Sequence, residues 1–222
     1  MFGKKLGVTE EEKDLGVMVH KSLKPSVQVA KAAKKANQVL GQLARAFTYR
    51  DKVYFIKLYK VYVRCHLEYS IQSWSPHLKQ DIKVLEAVQQ RAIRMTSGLT
   101  GTYEEKLKQV GLTTLEDRRT RGDLIQTYKI LHQVDDIPVS TFFSMAGSNH
   151  GHATRLAGPC DPQISGLNLV VPSVPNTDLR KFFFSQRVVN QCNALPNHVK
   201  YASSVNDFKN KLDAHSATFG SH

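Results

Sequence analysis

The clearest structural signal in the sequence lies in the stretch SVQVAKAAKKANQVLGQLARAF, residues 26–47. Its apolar residues recur at steps of three and four, which is the spacing of one face of an α-helix. These apolar residues are Val29, Ala33, Ala36, Leu40, Leu43 and Phe47. We therefore predict a helix over 26–47 that buries this apolar stripe.

The opposite face of the same helix is cationic. At about 100° per residue, Lys31, Lys35 and Arg45 fall within about 80° of one another and opposite the stripe, and Lys34 adds a further cation. Long cations and amides in a row can follow a phosphate backbone. Because any amphipathic helix has a polar face, the feature that distinguishes this one is the near absence of acidic residues.

The positive charge of the chain is concentrated in the same region. The 222 residues carry a net charge of +12, and residues 20–64 contain eleven basic side chains against a single acid, Asp51. Such a block predicts a polyanionic partner, and the alternative is a basic surface that only improves solubility. A second predicted helix, over 52–64, buries Phe55, Leu58, Tyr59 and Tyr62 and carries Lys57, Lys60 and Arg64 on its other side.

Further helices follow with recognisable end signals. Ser75 is the predicted N-cap of a third helix, with Pro76 at its first position and Gly98 after its end. Two capping boxes, Thr102 to Glu105 and Thr113 to Glu116, start two more helices, the second of which ends near His132. A short strand over 14–19, with little upstream to pair with, precedes them. The first half of the chain is thus predicted to be a helical bundle.

The second half is predicted to be looser. Residues 144–178 are rich in Gly, Ser, Asn and Pro and contain one strand candidate, residues 167–171. Helices follow over 185–193 and after Ser203-Ser204, the last with Val205, Phe208 and Leu212 on one face. The predicted fold class is mainly α, a helical bundle with a short N-terminal strand and a smaller, loop-rich C-terminal α(+β) subdomain. The predicted divisions are 1–19, 20–136, 137–178 as a linker, and 179–216.

Motifs for catalysis or metal binding are sparse. His150, His152 and Cys160 form the densest set of soft ligands, but a structural zinc site needs four, usually as two tight pairs, so we favour a polar loop. Adjacent side chains of a helix diverge, which argues against a nucleophilic pair of Cys65 and His66. Asp135-Asp136 is interpreted as a loop boundary. No phosphate-binding glycine loop or nucleophile elbow occurs, and we expect no metal and no cofactor.

Composition narrows the cellular context. No apolar run approaches the roughly 18 residues of a membrane span, and no signal core follows the N-terminus. The three cysteines are too scattered for a disulfide scaffold. The sequence therefore predicts an intracellular protein, nuclear or cytoplasmic, that is not secreted and has no membrane partner.

A series of short segments, taken in order, carries a family resemblance. The series is KDLGVMV (13–19), KKAN (34–37), RCHLEY (64–69), QSWSP (72–76), LEAVQQR (85–91), YEEKL (103–107), LTTLEDRR (112–119), RGDL (121–124), FFSQRVV (183–189), NALP (193–196) and FKNKLD (208–213). In this order they closely resemble the C-terminal end of reverse transcriptases of LINE-type, non-LTR retrotransposons, nearest to the vertebrate chicken-repeat clade. The resemblance covers about residues 6–213.

The resemblance implies a position in a longer polymerase. Residues 1–19 would be the remnant of the last palm strand, residues 20–100 the thumb, and the following helices a connector and C-terminal region. In this family the thumb grips the template–primer duplex, so the implied partner is an RNA–DNA hybrid or duplex. The family's catalytic aspartates, in an aromatic-x-Asp-Asp turn, lie upstream of the matching region, and neither this turn nor the endonuclease occurs in this sequence. We therefore expect no enzymatic activity.

The sequence also departs from the family pattern. The family usually has proline where Cys65 stands, tryptophan where Cys192 stands and an apolar residue where Gln191 stands. If Cys192 is buried, the loss of a large aromatic side chain costs about 3–5 kcal/mol of stability. Such drift is typical of a degenerate copy. Two alternatives to nucleic-acid binding thus stay open: a protein-interaction module with exposed apolar residues near 6–19 and 53–63, and a translated relic without function.

Overall fold

The structure, a computed structural model, describes residues 7, 9–146, 167–171, 173 and 177–219, the last four of these by their backbone alone. Among the described residues helix predominates, with one small antiparallel sheet near the N-terminus. The predicted fold class, mainly α with a short N-terminal strand, is therefore confirmed. The chain divides into two compact units, one ending at Arg119 and one beginning at Thr120. This division lies inside a helix, whereas the sequence placed the end of the bundle at residue 136.

The first unit opens with a β-hairpin. Strands β1 (Glu11–Asp14) and β2 (Val17–His20) pair antiparallel, with Asp14 opposite Val17. Leu15 and Gly16 form the turn, both with positive φ (42° and 92°). The predicted strand over 14–19 thus contains the two-residue turn between the strands, and the partner of β2 lies directly upstream. A Cβ on Gly16 would come within 3.3 Å of the ring of Tyr69, so glycine serves both the turn and the packing.

The predicted first helix is confirmed as α1, Ser26–Ala46. Its buried residues include Val29, Ala33, Ala36 and Leu40, which pack in the core of the first unit. Leu43 is half-buried. Phe47 departs from the predicted stripe: its backbone is extended (φ −118°, ψ 102°), so its side chain leaves the helical face and is exposed.

The second predicted helix contains a change of helical period. It consists of α2 (Tyr54–Leu58), a π-helical segment (Tyr59–Val63) and α3 (Arg64–Glu68). A π turn adds one residue to the helical repeat, which rotates the residues that follow. The buried residues of this run are Phe55, Ile56, Tyr59, Val63 and Leu67. Of the predicted set, Leu58 is only half-buried and Tyr62 is 53% exposed, so the predicted buried side is wrong beyond Tyr59.

Of the N-caps predicted for the next helices, one is wrong and one is confirmed. A short helix α4 (Ile71–Trp74) precedes α5 (Lys79–Met95), so Ser75 and Pro76 lie between two helices and do not cap α5. The N-cap of α5 is Leu78, and Asp81 in its first turn accepts a hydrogen bond from Ser26 Oγ at 2.7 Å. Helix α6 (Tyr103–Gln109) begins with the predicted capping box of Thr102 and Glu105.

Helix α7 (Leu115–Leu131) begins one residue later than the predicted box implies. Thr114, not Thr113, caps it: its Oγ1 accepts a hydrogen bond from the N–H of Asp117 at 3.1 Å. The backbone carbonyl of Thr113 has another role, since it accepts a hydrogen bond from Nε2 of Gln89 at 3.0 Å. The side chain of Thr114 therefore caps the helix, and the backbone of Thr113 takes part in a tertiary contact with Gln89.

The second unit has a core of its own. After a 3₁₀ turn at Val139–Thr141 come the short helices α8 (Asp178–Lys181), α9 (Phe184–Arg187), α10 (Val189–Ala194) and α11 (Asn197–Lys200), and then α12 (Val205–Phe219). The predicted helix over 185–193 is thus split at Val188, and the predicted last helix is confirmed. The buried aromatic residues of the second unit's core include Tyr128, Phe143, Phe184 and Phe208. The rings of Tyr128 and Phe208 stack with centroids 4.3 Å apart.

The predicted loop over 144–178 is described only in part. Met145, near its start, forms an antiparallel bridge with Leu169, which places one residue of the strand candidate 167–171 in a β-contact. Asn193 holds this segment, because its side chain both accepts from the N–H of Leu169 and donates to its carbonyl. Residues 147–166, with His150, His152 and Cys160, lie outside the described residues.

Candidate nucleic-acid interface

Helix α1 presents the predicted cations on one exposed side. Lys31, Lys34, Lys35 and Arg45 are all exposed, and Val29, Ala33, Ala36 and Leu40 on the other side are buried. The seven ion pairs found among the described residues include none of these four cations. Their charges therefore face solvent, where a phosphate backbone could approach them.

The three cations predicted on the second helix differ in their surroundings. Lys57 is exposed, and its Nζ lies 5.9 Å from the centre of the Tyr54 ring. Arg64 is half-buried, and its Nε lies 3.5 Å from Oε1 of Glu68. Arg118 donates two hydrogen bonds to the same carboxylate. The charge of Arg64 is thus shared with an internal acid, which weakens it as a phosphate ligand.

Lys60 lies close to this cluster of charges. Partial burial is the main cause that lowers the pKa of its ammonium group, and repulsion from Arg64 and Arg118 lowers this pKa further. Lys60 is therefore near the two cations, Arg64 and Arg118, that contact the Glu68 carboxylate. Of the three phosphate ligands predicted on the second helix, Lys57 is exposed, and Lys60 and Arg64 are half-buried.

Helix α5 adds cations that sequence reasoning missed. Arg91 and Arg94 are exposed, and Nη1 of Arg91 donates a hydrogen bond to Oδ1 of Asn37 on α1 at 3.0 Å. This contact places Arg91 beside the α1 surface. Arg94 lines an open cleft of about 320 Å³ together with Gln90, Tyr103 and Lys106. The signal that could have found them is the absence of acidic residues after Glu86 in this helix. A net charge summed over residues 65–136 conceals this signal, because acids elsewhere in that range balance the bases.

Several segments of the resemblance contain residues that pair with one another. Glu68 pairs with Arg118 within the first unit. Within the second unit, Arg187 donates to both carboxylate oxygens of Asp123, and Arg121 donates to both carboxylate oxygens of Asp213. These arginines stabilise the units themselves, so they are poor candidates for contacts with a ligand.

Cys192 and Asp135, two further residues with reactive side chains, are engaged in packing or in hydrogen bonds within the protein. Cys192 is buried, which raises the pKa of its thiol to about 11. Asp135 accepts a hydrogen bond from Gln126 at 2.7 Å and lies 3.6 Å from Nζ of Lys129. Within the described ranges, no three His, Cys, Asp or Glu side chains come close enough together to hold a metal ion. The same part of the chain contains no helix with the length and apolar character needed to cross a membrane.

Comparisons of the chain with protein-family models, with curated proteins and with solved structures give no match.

Proposed function

We propose that this chain is a non-catalytic, thumb-like fragment of a non-LTR retrotransposon reverse transcriptase that binds nucleic-acid duplex through its phosphate backbone. The observation that carries the proposal is the cationic side of α1. There Lys31, Lys34, Lys35 and Arg45 are exposed, and no ion pair among the described residues involves them. The order of the short segments that resemble the family supports its origin.

The dimensions of α1 suit a duplex. Lys31 and Arg45 are fourteen residues apart on one helix, which corresponds to about 21 Å along its axis. A row of cations this long reaches phosphates on both sides of a groove about 12 Å wide. Binding of this kind contacts phosphates and not base edges, so we expect little sequence specificity.

A salt titration tests this proposal. The affinity for a blunt RNA–DNA hybrid and for B-form DNA should fall with added salt, by roughly 0.9 log units per phosphate contact per decade of salt for the DNA. Replacing Lys31, Lys35 and Arg45 by glutamate should weaken binding and flatten the salt slope by about 2–3 units. The helix should survive, because glutamate is a good helix former.

The matched control replaces three exposed cations elsewhere, Lys108, Arg180 and Lys181, by glutamate. This variant changes the net charge of the chain by the same amount but leaves α1 intact. If both triple variants lose affinity equally, diffuse charge explains the binding and the α1 surface does not. If the α1 variant binds like the parent chain, α1 is not part of the site.

The absence of catalysis is a separate part of the proposal. Two-metal phosphoryl transfer needs carboxylates that hold the ions, and the sequence lacks the family's aromatic-x-Asp-Asp turn. Purified chain should therefore give no primer extension and no strand cleavage with Mg²⁺ or Mn²⁺. Activity above that of an identically purified, heat-unfolded sample would contradict this expectation.

A second candidate function is a protein-interaction module. It is favoured by exposed apolar side chains in the predicted segments, including Leu15, Val19, Val61 and Tyr62. The π segment contributes directly, because it leaves Tyr62 on the surface. Binding to a protein that resists high salt, without binding to duplex, would favour this candidate.

The relic interpretation makes a third, distinct prediction. Cys192 is buried at a position where the family usually has tryptophan, and the cavity that it borders measures only about 10 Å³. A chain without selected function has no reason to retain cooperative unfolding. A sharp, single denaturation transition together with salt-dependent duplex binding would argue against it.

A further inference from the structure

The connection between α1 and α2 carries an unusual set of exposed aromatic residues among cations. Tyr49 is 79% exposed and Tyr54 is 72% exposed, and Phe47 and Val53 beside them are also exposed. The exposed cations Arg45, Lys52 and Lys57 are interspersed with them in the chain. We call Phe47, Tyr49, Val53 and Tyr54 with these three cations the Tyr49–Tyr54 patch.

The backbone of this patch is held in place. Nη2 of Arg50 donates a hydrogen bond to the carbonyl of Ala44 at 2.8 Å, at the end of α1. The carbonyl of Arg50 accepts a hydrogen bond from the N–H of Ser97 at 2.8 Å. Arg50 therefore binds the loop to the end of α1 and to Ser97 after α5. Because the loop is already held by these contacts, presenting its tyrosines to a ligand requires little additional ordering.

One acid, Asp51, lies between the residues of the patch in the chain, and its carboxylate binds the backbone next to it. Oδ1 of Asp51 accepts hydrogen bonds from the N–H groups of Val53 and Tyr54, at 2.6 and 3.0 Å, at the start of α2. A carboxylate in this position stabilises a helix N-terminus. The exposed side chains around the tyrosines thus remain predominantly cationic, which favours an anionic ligand.

The position of Lys57 relative to Tyr54 suggests the class of that ligand. Its Nζ lies 5.9 Å from the centre of the exposed ring. A nucleotide combines a phosphate, which a lysine binds, with a base, which stacks on an aromatic ring. Bases in a duplex cover each other's faces, so only unpaired bases can stack on a surface tyrosine.

We propose that the Tyr49–Tyr54 patch binds unpaired nucleotides, with bases stacked on Tyr49 and Tyr54 and phosphates held by Arg45, Lys52 and Lys57. The proposal rests on the proposed function for its class of ligand, and it adds a single-stranded site to the duplex-binding surface of α1. Stacking tolerates every base, so this site should have weak sequence preference.

The test compares three fluorescently labelled probes: a short dT oligonucleotide, a backbone of equal length without bases, and a blunt duplex. The parent chain should bind the dT strand more tightly than the abasic strand. Replacing both tyrosines by alanine should weaken dT binding about 25-fold, or about fivefold for each stacked base. The same double substitution should leave the affinity for the abasic strand and for the duplex within about twofold of that of the parent chain, because the charges are unchanged.

Two further variants serve as controls. The double phenylalanine variant at Tyr49 and Tyr54 keeps both rings and should restore dT binding, which separates stacking from any effect on folding. Tyr201→Ala removes a partly exposed tyrosine of the second unit and should have no effect. Fluorescence of Trp74, the only tryptophan and a buried one, verifies that the first unit, which carries Tyr49 and Tyr54, is folded in each variant, and far-UV circular dichroism verifies the Tyr201→Ala chain.

The possible outcomes separate the two proposals. Duplex binding with the expected salt slope, together with equal dT affinity of the parent and double-alanine chains, would overturn the single-strand site alone. Tyrosine-dependent dT binding without duplex binding would support this site and refute the duplex proposal. Self-association that depends on the tyrosines, without dT binding, would assign the patch to a second copy of the chain and overturn the proposal.

Discussion

The hydroxyl group of Tyr59 donates a hydrogen bond to Oε1 of Gln89 at 2.9 Å, and both side chains are completely buried. Nε2 of Gln89 in turn donates to the hydroxyl of Tyr103 and to the carbonyl of Thr113, at 3.2 and 3.0 Å. One amide thus connects the π segment, α5, α6 and the start of α7. Because a buried polar group without a partner is costly, the network ties these elements to one arrangement.

Tyr59→Phe should destabilise the chain by about 1–3 kcal/mol, because it leaves Oε1 of Gln89 buried without its donor. Urea unfolding followed by the fluorescence of Trp74 measures this loss. Tyr62→Phe, at an exposed position three residues later, is the control and should change the free energy of unfolding by less than about 0.5 kcal/mol. Equal effects of the two substitutions would show that the network contributes no stability.

The same network predicts alkaline sensitivity. Burial raises the pKa of Tyr59, and it also raises that of Tyr103, well above the usual phenol value. A raised pKa in the folded state means that stability is complete below the unfolded value of about 10 and is lost as the pH rises above it. The free energy of unfolding should therefore fall above about pH 10, by up to about 1.4 kcal/mol per pH unit for each such tyrosine.

Tyr59→Phe should make this fall less steep, since it removes one of the titrating groups. The measurement is a series of urea titrations from about pH 8 to about pH 11 on both chains. Tyr54→Phe, at an exposed tyrosine, should give a curve parallel to that of the parent chain. Parallel curves for Tyr59→Phe as well would contradict a contribution of its buried hydroxyl.

The second unit should depend on the ion pair of Arg187 and Asp123. The side chain of Asp123 is 5% exposed and accepts hydrogen bonds from Nε and Nη2 of Arg187, at 2.8 and 3.0 Å. Arg187→Met would remove both of these hydrogen bonds and the positive charge from a buried carboxylate, at a cost of about 3–5 kcal/mol. Far-UV circular dichroism in urea measures the loss.

Arg121→Met provides the matched comparison. Arg121 also makes a bidentate contact with an aspartate, Asp213, but this pair is exposed to solvent. Its removal should cost at most about 1 kcal/mol. Similar losses for the two methionine variants would mean that burial does not determine the strength of these pairs.

Two adjacent threonines offer a test of the register at the start of α7. Thr114→Ala removes the side chain that caps this helix and should cost about 1 kcal/mol of stability. Thr113→Ala should have little effect, because the side chain is exposed and the backbone carbonyl that Gln89 contacts is retained. A larger loss for Thr113→Ala than for Thr114→Ala in urea unfolding would refute the observed register.

Local sequence signals explain the elements that could be predicted. The stripe from Val29 to Leu40 predicts α1 because apolar spacing and helical period coincide over more than three turns. The box of Thr102 and Glu105 predicts the start of α6 because both partners lie within one turn. Tyr62 could not be placed, because the π segment that rotates it to the surface leaves no mark in the periodicity.

The sequence by itself determined which face of α1 is apolar and where its cations lie, because both depend only on the helical period of an unbroken α-helix. The tertiary structure decided which cations remain available to a ligand. Arg118, Arg121 and Arg187 meet their carboxylates across sequence separations of 50, 92 and 64 residues. No local pattern encodes such pairs, because each forms only when packing brings distant segments of one unit together. Lys31, Lys35 and Arg45 stay exposed because the apolar stripe on the other side of α1 packs into the core of the first unit.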